Sequence, residues 1–265
     1  MQALEALIFD VDGTLADTER DGHRLAFNRA FQEAGLDWEW TLSLYGELLK
    51  VTGGKERILH FMRQWRPEAL ERPGLEAFVR GLHQRKTAHY LALLGTGAIP
   101  LRPGVMRLLA EARAAGLRLA IATTTTPENV ITLLECAGSP TLPTWFEVIA
   151  AGDLVSAKKP APDIFHYALS QLRLPAEACV AIEDSANGVQ AALGAGLKAL
   201  VVTPSTYTRG EDFSGAALVV DSLEAILRDG PDGPAGESRD PAKVDEGRGP
   251  IDLARLRALH RRSYG

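Results

Sequence analysis

Hydrophobic positions along the chain fall into short, continuous apolar runs, each followed by a stretch with helical spacing. The runs are Ala6–Phe9, Leu117–Ala122, Phe146–Ala150, Cys179–Ile182, Ala199–Val202 and Leu218–Val220. Apart from Arg118 and Glu147 they are apolar and show no sustained alternation with polar residues, which is the pattern of strands covered on both faces. Helical spacing follows over Val105–Ala115, Asn129–Ala137, Pro162–Leu172, Gly188–Ala195 and Ser222–Arg228. Strand and helix in alternation predict an α/β fold with a Rossmann-like parallel sheet.

One interval breaks this rhythm. Between the first run and Leu117 lie about a hundred residues that read only as helices: Thr18–Ala34, Trp40–Leu49, Lys55–Trp65 and Leu75–Leu94. A crossover of that length calls for an inserted domain. The pattern therefore predicts a small α-helical domain at 17–92 inserted into a core of 1–16 and 93–229. Residues 230–250 are rich in Gly, Pro and charge and read as a linker. Beyond it Ile251, Leu253, Leu256 and Leu259 share a helical face beside four arginines. That face could dock as a helix, but so few apolar anchors favour a frayed or disordered tail, so 230–265 reads as a linker and a disordered or weakly docked basic tail.

Composition narrows the function classes. The chain has 265 residues, 46% hydrophobic and 24% charged, with a formal net charge of −5. That balance gives no basis for binding nucleic acid or an anionic membrane, and a monomer is expected. No apolar run approaches the roughly 18 residues of a membrane span, and Met1–Glu5 lacks the basic region of a signal peptide. Cys136 and Cys179 fit no metal or redox spacing. They read as free thiols, with the cytoplasm as the expected compartment.

The chemistry gathers where the runs end. Asp10 and Asp12 lie two residues apart, on one side of the chain, as it leaves the first strand, and Gly13 permits a sharp turn. That carboxyl edge is where open α/β sheets bind ligands. Paired carboxylates suit a hard cation such as Mg²⁺, although Asp-Val-Asp-Gly also reads as a solvated turn. The second run enters Thr123–Thr126, whose hydroxyls and N–H groups suit either a phosphate or a helix cap before Pro127. Lys159, in Lys-Lys-Pro-Ala-Pro, is a cation for a phosphate or an ordinary surface lysine. Glu183-Asp184 ends the fourth run as metal ligands or as helix-capping groups.

The order Asp10/Asp12, Thr123, Lys159, Glu183/Asp184 resembles the four motifs of the haloacid-dehalogenase superfamily, over about residues 4–228, with the helical interval at that superfamily's cap-domain position. The resemblance implies a Mg²⁺-dependent phosphatase. Asp10 would be nucleophile and metal ligand, and Asp12 general acid/base and a ligand through its main-chain carbonyl. Thr123 and Lys159 would bind phosphate, and Asp184, backed by Glu183, would hold the metal. Further segments resemble the CbbY-type phosphatases, which include a xylulose-1,5-bisphosphate phosphatase: Thr52-Gly53-Gly54-Lys55-Glu56-Arg57, Arg85-Lys86-Thr87, Ala122–Thr125 and Lys158-Lys159-Pro160. On that resemblance the substrate is a small phosphorylated sugar. Asp17, Thr52, Gly53, Gly54, Lys55, Arg85, Lys86, Thr123, Thr124 and Lys159 would contact it. The segment after Arg228 departs from the family pattern.

Three other functions share parts of this equipment. A sugar phosphomutase would use the same aspartates and metal, a phosphoglycolate phosphatase would differ only in substrate, and a catalytically dead module would bind without turnover. A dehalogenase has no use for the Glu183-Asp184 metal pair. Gly194-Ala195-Gly196 precedes a strand and lacks the third glycine of a dinucleotide loop.

Overall fold

The structure is a computed structural model that describes residues 2–51, 53–224 and 249–265. Its chain divides into two compact units, one of 1–17 and 100–265, the other of Thr18–Ile99.

The first unit carries a six-stranded sheet. In chain order its strands are β1 (Ala6–Phe9), β2 (Arg118–Ala122), β3 (Phe146–Ala150), β4 (Cys179–Glu183), β5 (Leu200–Val202) and β6 (Leu218–Val219). They run β3-β2-β1-β4-β5-β6 across the sheet, every pairing parallel. All four residues of β1 and all five of β4 are buried, so the two central strands end away from solvent. Helices α5 (Val105–Ala114), α6 (Pro127–Ala137), α7 (Asp163–Leu172) and α8 (Ala186–Gly194) connect them. Ala6, Ile8, Ala120 and Ala122 pack with Ile164, Phe165, Ala168 and Val189 in one apolar cluster. Small residues on the strands let these helices lie close to the sheet.

The second unit is helical: a π-helical turn at Glu19–His23, then α1 (Arg24–Glu33), α2 (Leu42–Leu48), α3 (Gly54–Trp65) and α4 (Leu75–Gly95). Its core is aromatic. Phe27, Phe31, Trp40 and Tyr45 are buried, with Phe27 4.4 Å and Phe31 5.0 Å from Trp40 between ring centroids. Asn28 fixes the chain at Trp40 by accepting from its N–H at 2.8 Å and donating to its carbonyl at 3.1 Å.

The C-terminal segment corrects the sequence reading. Residues Leu253–Tyr264 form helix α9, capped by Asp252, which accepts from Arg255 N at 2.8 Å. Ile251, Leu253, Leu256 and Leu259 are buried, and the helix packs against α5 and β4. The anchors missed by an apolar count are polar. A ring nitrogen of His260 contacts Glu177 O at 2.7 Å. The Tyr264 hydroxyl accepts from Lys198 N at 2.8 Å and donates towards Ala176 O at 3.1 Å. A second difference concerns the helix expected at Ser222–Arg228. Residues 222–224 are not helical, while 225–228, like most of the expected linker, lie outside the described residues. Among the described residues no helix is long and apolar enough to cross a membrane.

Candidate active site

At its carboxyl end, β1 continues the ladder by one bond, Asp10 N to Ile182 O at 3.0 Å. The chain then turns back, with Thr14 N and Leu15 N both donating to Val11 O and Gly13 N donating to Ala16 O. Gly13 has φ +89°, and a Cβ there would stand 2.1 Å from Asp184 Oδ2. Only glycine lets this turn lie against that carboxylate. A similar constraint acts on Gly188 in α8, where a Cβ would fall 2.0 Å from the Glu183 carboxyl group.

Lys159 reaches the same point from the loop before α7. Its Nζ donates to Asp10 Oδ1 at 2.7 Å, Glu183 Oε1 at 2.5 Å and Ala122 O at 2.8 Å, with its side chain buried. The carboxylates of Asp10, Glu183 and Asp184 each offer an oxygen within 4.8 Å of the other two. Burial opposes the ammonium of Lys159, but the charges and hydrogen bonds of Asp10 and Glu183 more than reverse this and raise its pKa. Burial, helped by Asp10 and opposed by Lys159, pushes Glu183 up to about 7. Burial, then Asp10 and Glu183, lift Asp184 well above the carboxylate range. Lys159 thus stays charged, and Glu183 and Asp184 are the groups that give up charge when no cation joins them.

This donor set fits Mg²⁺: hard carboxylate oxygens, dense and buried, with more negative charge than one lysine balances. Asp12, half-buried, contributes no carboxylate oxygen to the cluster. Thr123 is buried and accepts from Thr125 N at 3.3 Å through its hydroxyl, whereas Thr124 is exposed. Asp17 is buried and accepts from Thr206 Oγ1 at 2.5 Å. Thr208 Oγ1 donates to Asp184 Oδ2 at 3.3 Å. Sequence reading missed Thr206 and Thr208. Their signal was position, just past the end of β5 on the ligand-binding edge, but a lone hydroxyl has no distinctive spacing.

The remaining expected substrate contacts belong to the helical unit. Gly53, with φ +93°, and Gly54 begin α3, followed by the exposed Lys55. Arg85 is exposed, 3.4 Å from Glu33. Lys86 is buried, its Nζ 2.7 Å from His23 Nδ1 and about 5 Å from the rings of Phe27 and Tyr90. Burial first, then Lys86, hold His23 well below the usual histidine range. The ring is therefore neutral near pH 7 and Lys86 is the donor in their contact. Thr52 lies outside the described residues.

Comparison with known proteins agrees with this geometry. A model of haloacid dehalogenase-like hydrolases matches residues 4–196. Protein CbbY of Cereibacter sphaeroides is 50% identical over 224 residues, 84% of this chain and 94% of that protein. The plasmid-encoded Protein CbbY of Cupriavidus necator is 46% identical over 257 residues, 97% of each chain. That second alignment necessarily takes in most of the segment after Arg228, which the sequence reading had set apart from the family. A crystal structure of a CbbY mutant from Rhodobacter sphaeroides in complex with xylulose-(1,5)bisphosphate superposes with TM-score 0.71 at 47% identity, covering 83% of this chain and 94% of that one. The chain belongs to the haloacid dehalogenase-like hydrolases, as a phosphatase alongside the CbbY proteins.

Proposed function

We propose that this phosphatase is Mg²⁺-dependent and hydrolyses a small sugar bisphosphate such as xylulose 1,5-bisphosphate through an aspartyl phosphate on Asp10. The observation that carries the reading is the cluster in which Lys159 bridges Asp10 and Glu183 with Asp184 alongside. The complex of the Rhodobacter sphaeroides relative with xylulose-(1,5)bisphosphate supports the substrate class.

In this reading Asp10 attacks phosphorus in line and the C–O–P bridge oxygen leaves, so that one difficult displacement becomes two easier ones. Asp12 donates a proton to the leaving alkoxide and takes one from the water that hydrolyses the acyl phosphate. Lys159, hydrogen-bonded to Asp10, meets charge on the phosphoryl oxygens, and Thr123 and Thr124 offer hydroxyl and N–H donors to them. Asp10, Asp184 and the Asp12 carbonyl would hold Mg²⁺, with Glu183 behind them. When bound, the ion supplies positive charge for the phosphoryl group. Asp17, Thr52, Gly53, Gly54, Lys55, Arg85 and Lys86 are proposed to serve the rest of the substrate, in a monomer whose helical domain is the cap.

A phosphate-release screen over sugar mono- and bisphosphates, with Mg²⁺ or EDTA, tests this. Release should require Mg²⁺ and be fastest for a ketose bisphosphate, with no bisphosphate activator added. Activity unaffected by EDTA would overturn the metal reading, and isomerisation without release of phosphate would make the chain a mutase.

A further inference from the structure

Asp184 sits between two loops, and one side chain ties those loops together. On one side stands the turn after β1, with Gly13 so close that a Cβ would touch the Asp184 carboxylate. On the other lies the loop after β5, which sends Thr208 Oγ1 to Asp184 Oδ2. In the sheet, β4, which bears Glu183 and leads into Asp184, lies between β1 and β5. No ladder bond therefore links the two walls directly.

Arg102 does. Its Nη1 donates to Gly13 O in a close contact, to Thr203 O at 2.6 Å and towards Thr203 Oγ1 at 3.1 Å. Its Nη2 donates to Pro204 O at 2.9 Å and to Asp221 O, past the end of β6, at 3.3 Å. Its own N–H donates to Leu15 O at 2.7 Å, in the same β1 turn. A planar guanidinium with fixed donor directions holds such carbonyls at set distances from one another, which a single ammonium on a flexible stem does not.

We propose that Arg102 is a positioning residue of the phosphatase site, clamping the turn of Asp12 and Gly13 to the loop after β5 and so fixing the slot in which Asp184 is presented to Mg²⁺. This role rests on the metal reading above. Except for the one to Asp221 O, the hydrogen bonds of Arg102 named above all go to the walls of the slot. Those bonds act through the walls of the slot, as supporting residues outside a metal's ligands do elsewhere, while the guanidinium charge also favours an ionised Asp184, an effect that Arg102→Lys retains.

The test is calorimetric titration of Mg²⁺ into metal-free protein, for the unsubstituted chain, Arg102→Gln and Arg102→Lys, with kcat and KM measured at saturating Mg²⁺. The Mg²⁺ dissociation constant should rise about tenfold or more in Arg102→Gln. In Arg102→Lys, which keeps the charge and the bond to Leu15 but loses the fork, it should rise several-fold. KM for the phosphate ester should stay within about twofold in both, since the bonds lost are those that hold the metal slot. If Arg102→Gln does not fold, Arg102→Lys decides alone. Folded variants with unchanged Mg²⁺ affinity would reduce Arg102 to a stabilising residue and overturn the proposal. The parallel titration separates two failures: a parent that takes up no Mg²⁺ removes the metal reading and this role with it, whereas a parent that binds and is matched by its variants removes only the role of Arg102.

Discussion

Two buried lysines show how differently the two units treat charge. Lys159 in the α/β unit is enclosed by anions and a carbonyl, and its proton is held more tightly for it. Lys86 in the helical unit is set against a neutral imidazole and the faces of Phe27 and Tyr90. The first belongs to an electrostatic balance that changes when a cation or phosphate arrives. The second is held by an aromatic frame, where cation–π contacts contribute on the order of 1 kcal/mol. Charge is crowded and incompletely balanced in the first unit, whereas the second is built mainly on aromatic packing.

The sharpest test of that contrast is Asp10→Asn. Removing the nucleophile should lower kcat by at least about a thousandfold. Because it also relieves one of three crowded carboxylates, the melting temperature of the metal-free protein should not fall. Substantial Mg²⁺-dependent turnover, read as phosphate release, would end the covalent assignment.

Next in size is the contribution of α9 to the α/β unit. A chain ending at residue 248 loses the burial of Ile251, Leu253, Leu256 and Leu259, each worth up to about 1.5–3 kcal/mol. Its melting temperature should drop by about 10 °C or more. An unchanged calorimetric melt would mean that the sheet needs no cover from α9.

A smaller and selective effect is expected from Lys55→Ala. An exposed lysine at the start of α3 should matter for a second phosphate and little for one phosphate alone. kcat/KM for a sugar bisphosphate should fall about tenfold, an energy typical of one charge-assisted contact, with p-nitrophenyl phosphate nearly unaffected. Equal losses on both would assign Lys55 to folding.

The mildest effect is a pH dependence. Glu183 is raised to about 7 in the fold against 4.5 as its ordinary value. Across that window the folded metal-free chain therefore binds more protons than the unfolded one, and its stability falls as pH rises. Burial is the main cause, and Mg²⁺ would favour the ionised carboxylate that burial disfavours, so the rise in melting temperature on adding Mg²⁺ should be larger at pH 8 than at pH 5. Equal rises at both pH values would show that the acids do not share the ion.

The sequence by itself determined the strands and the positions of the reactive groups along the chain. β1 and β3 occupy the predicted runs, Ala6–Phe9 and Phe146–Ala150; the uninterrupted run of β1 is buried on both faces, while β3, at the sheet edge, exposes Glu147. Asp10, Lys159, Glu183 and Asp184 could be picked out because each follows such a run or stands in a proline-stiffened loop. What the tertiary structure alone decided is how those groups are held. Arg102, Thr206 and Thr208 act through carbonyls and carboxylates distant in sequence, Thr206 reaching Asp17 across 189 positions, and no local period records a partner so far away. The docking of α9 was hidden for the same reason. Its helix is amphipathic in either state, and whether the four apolar residues, His260 and Tyr264 find partners depends on a surface between α5 and β4 that exists only after the chain has folded.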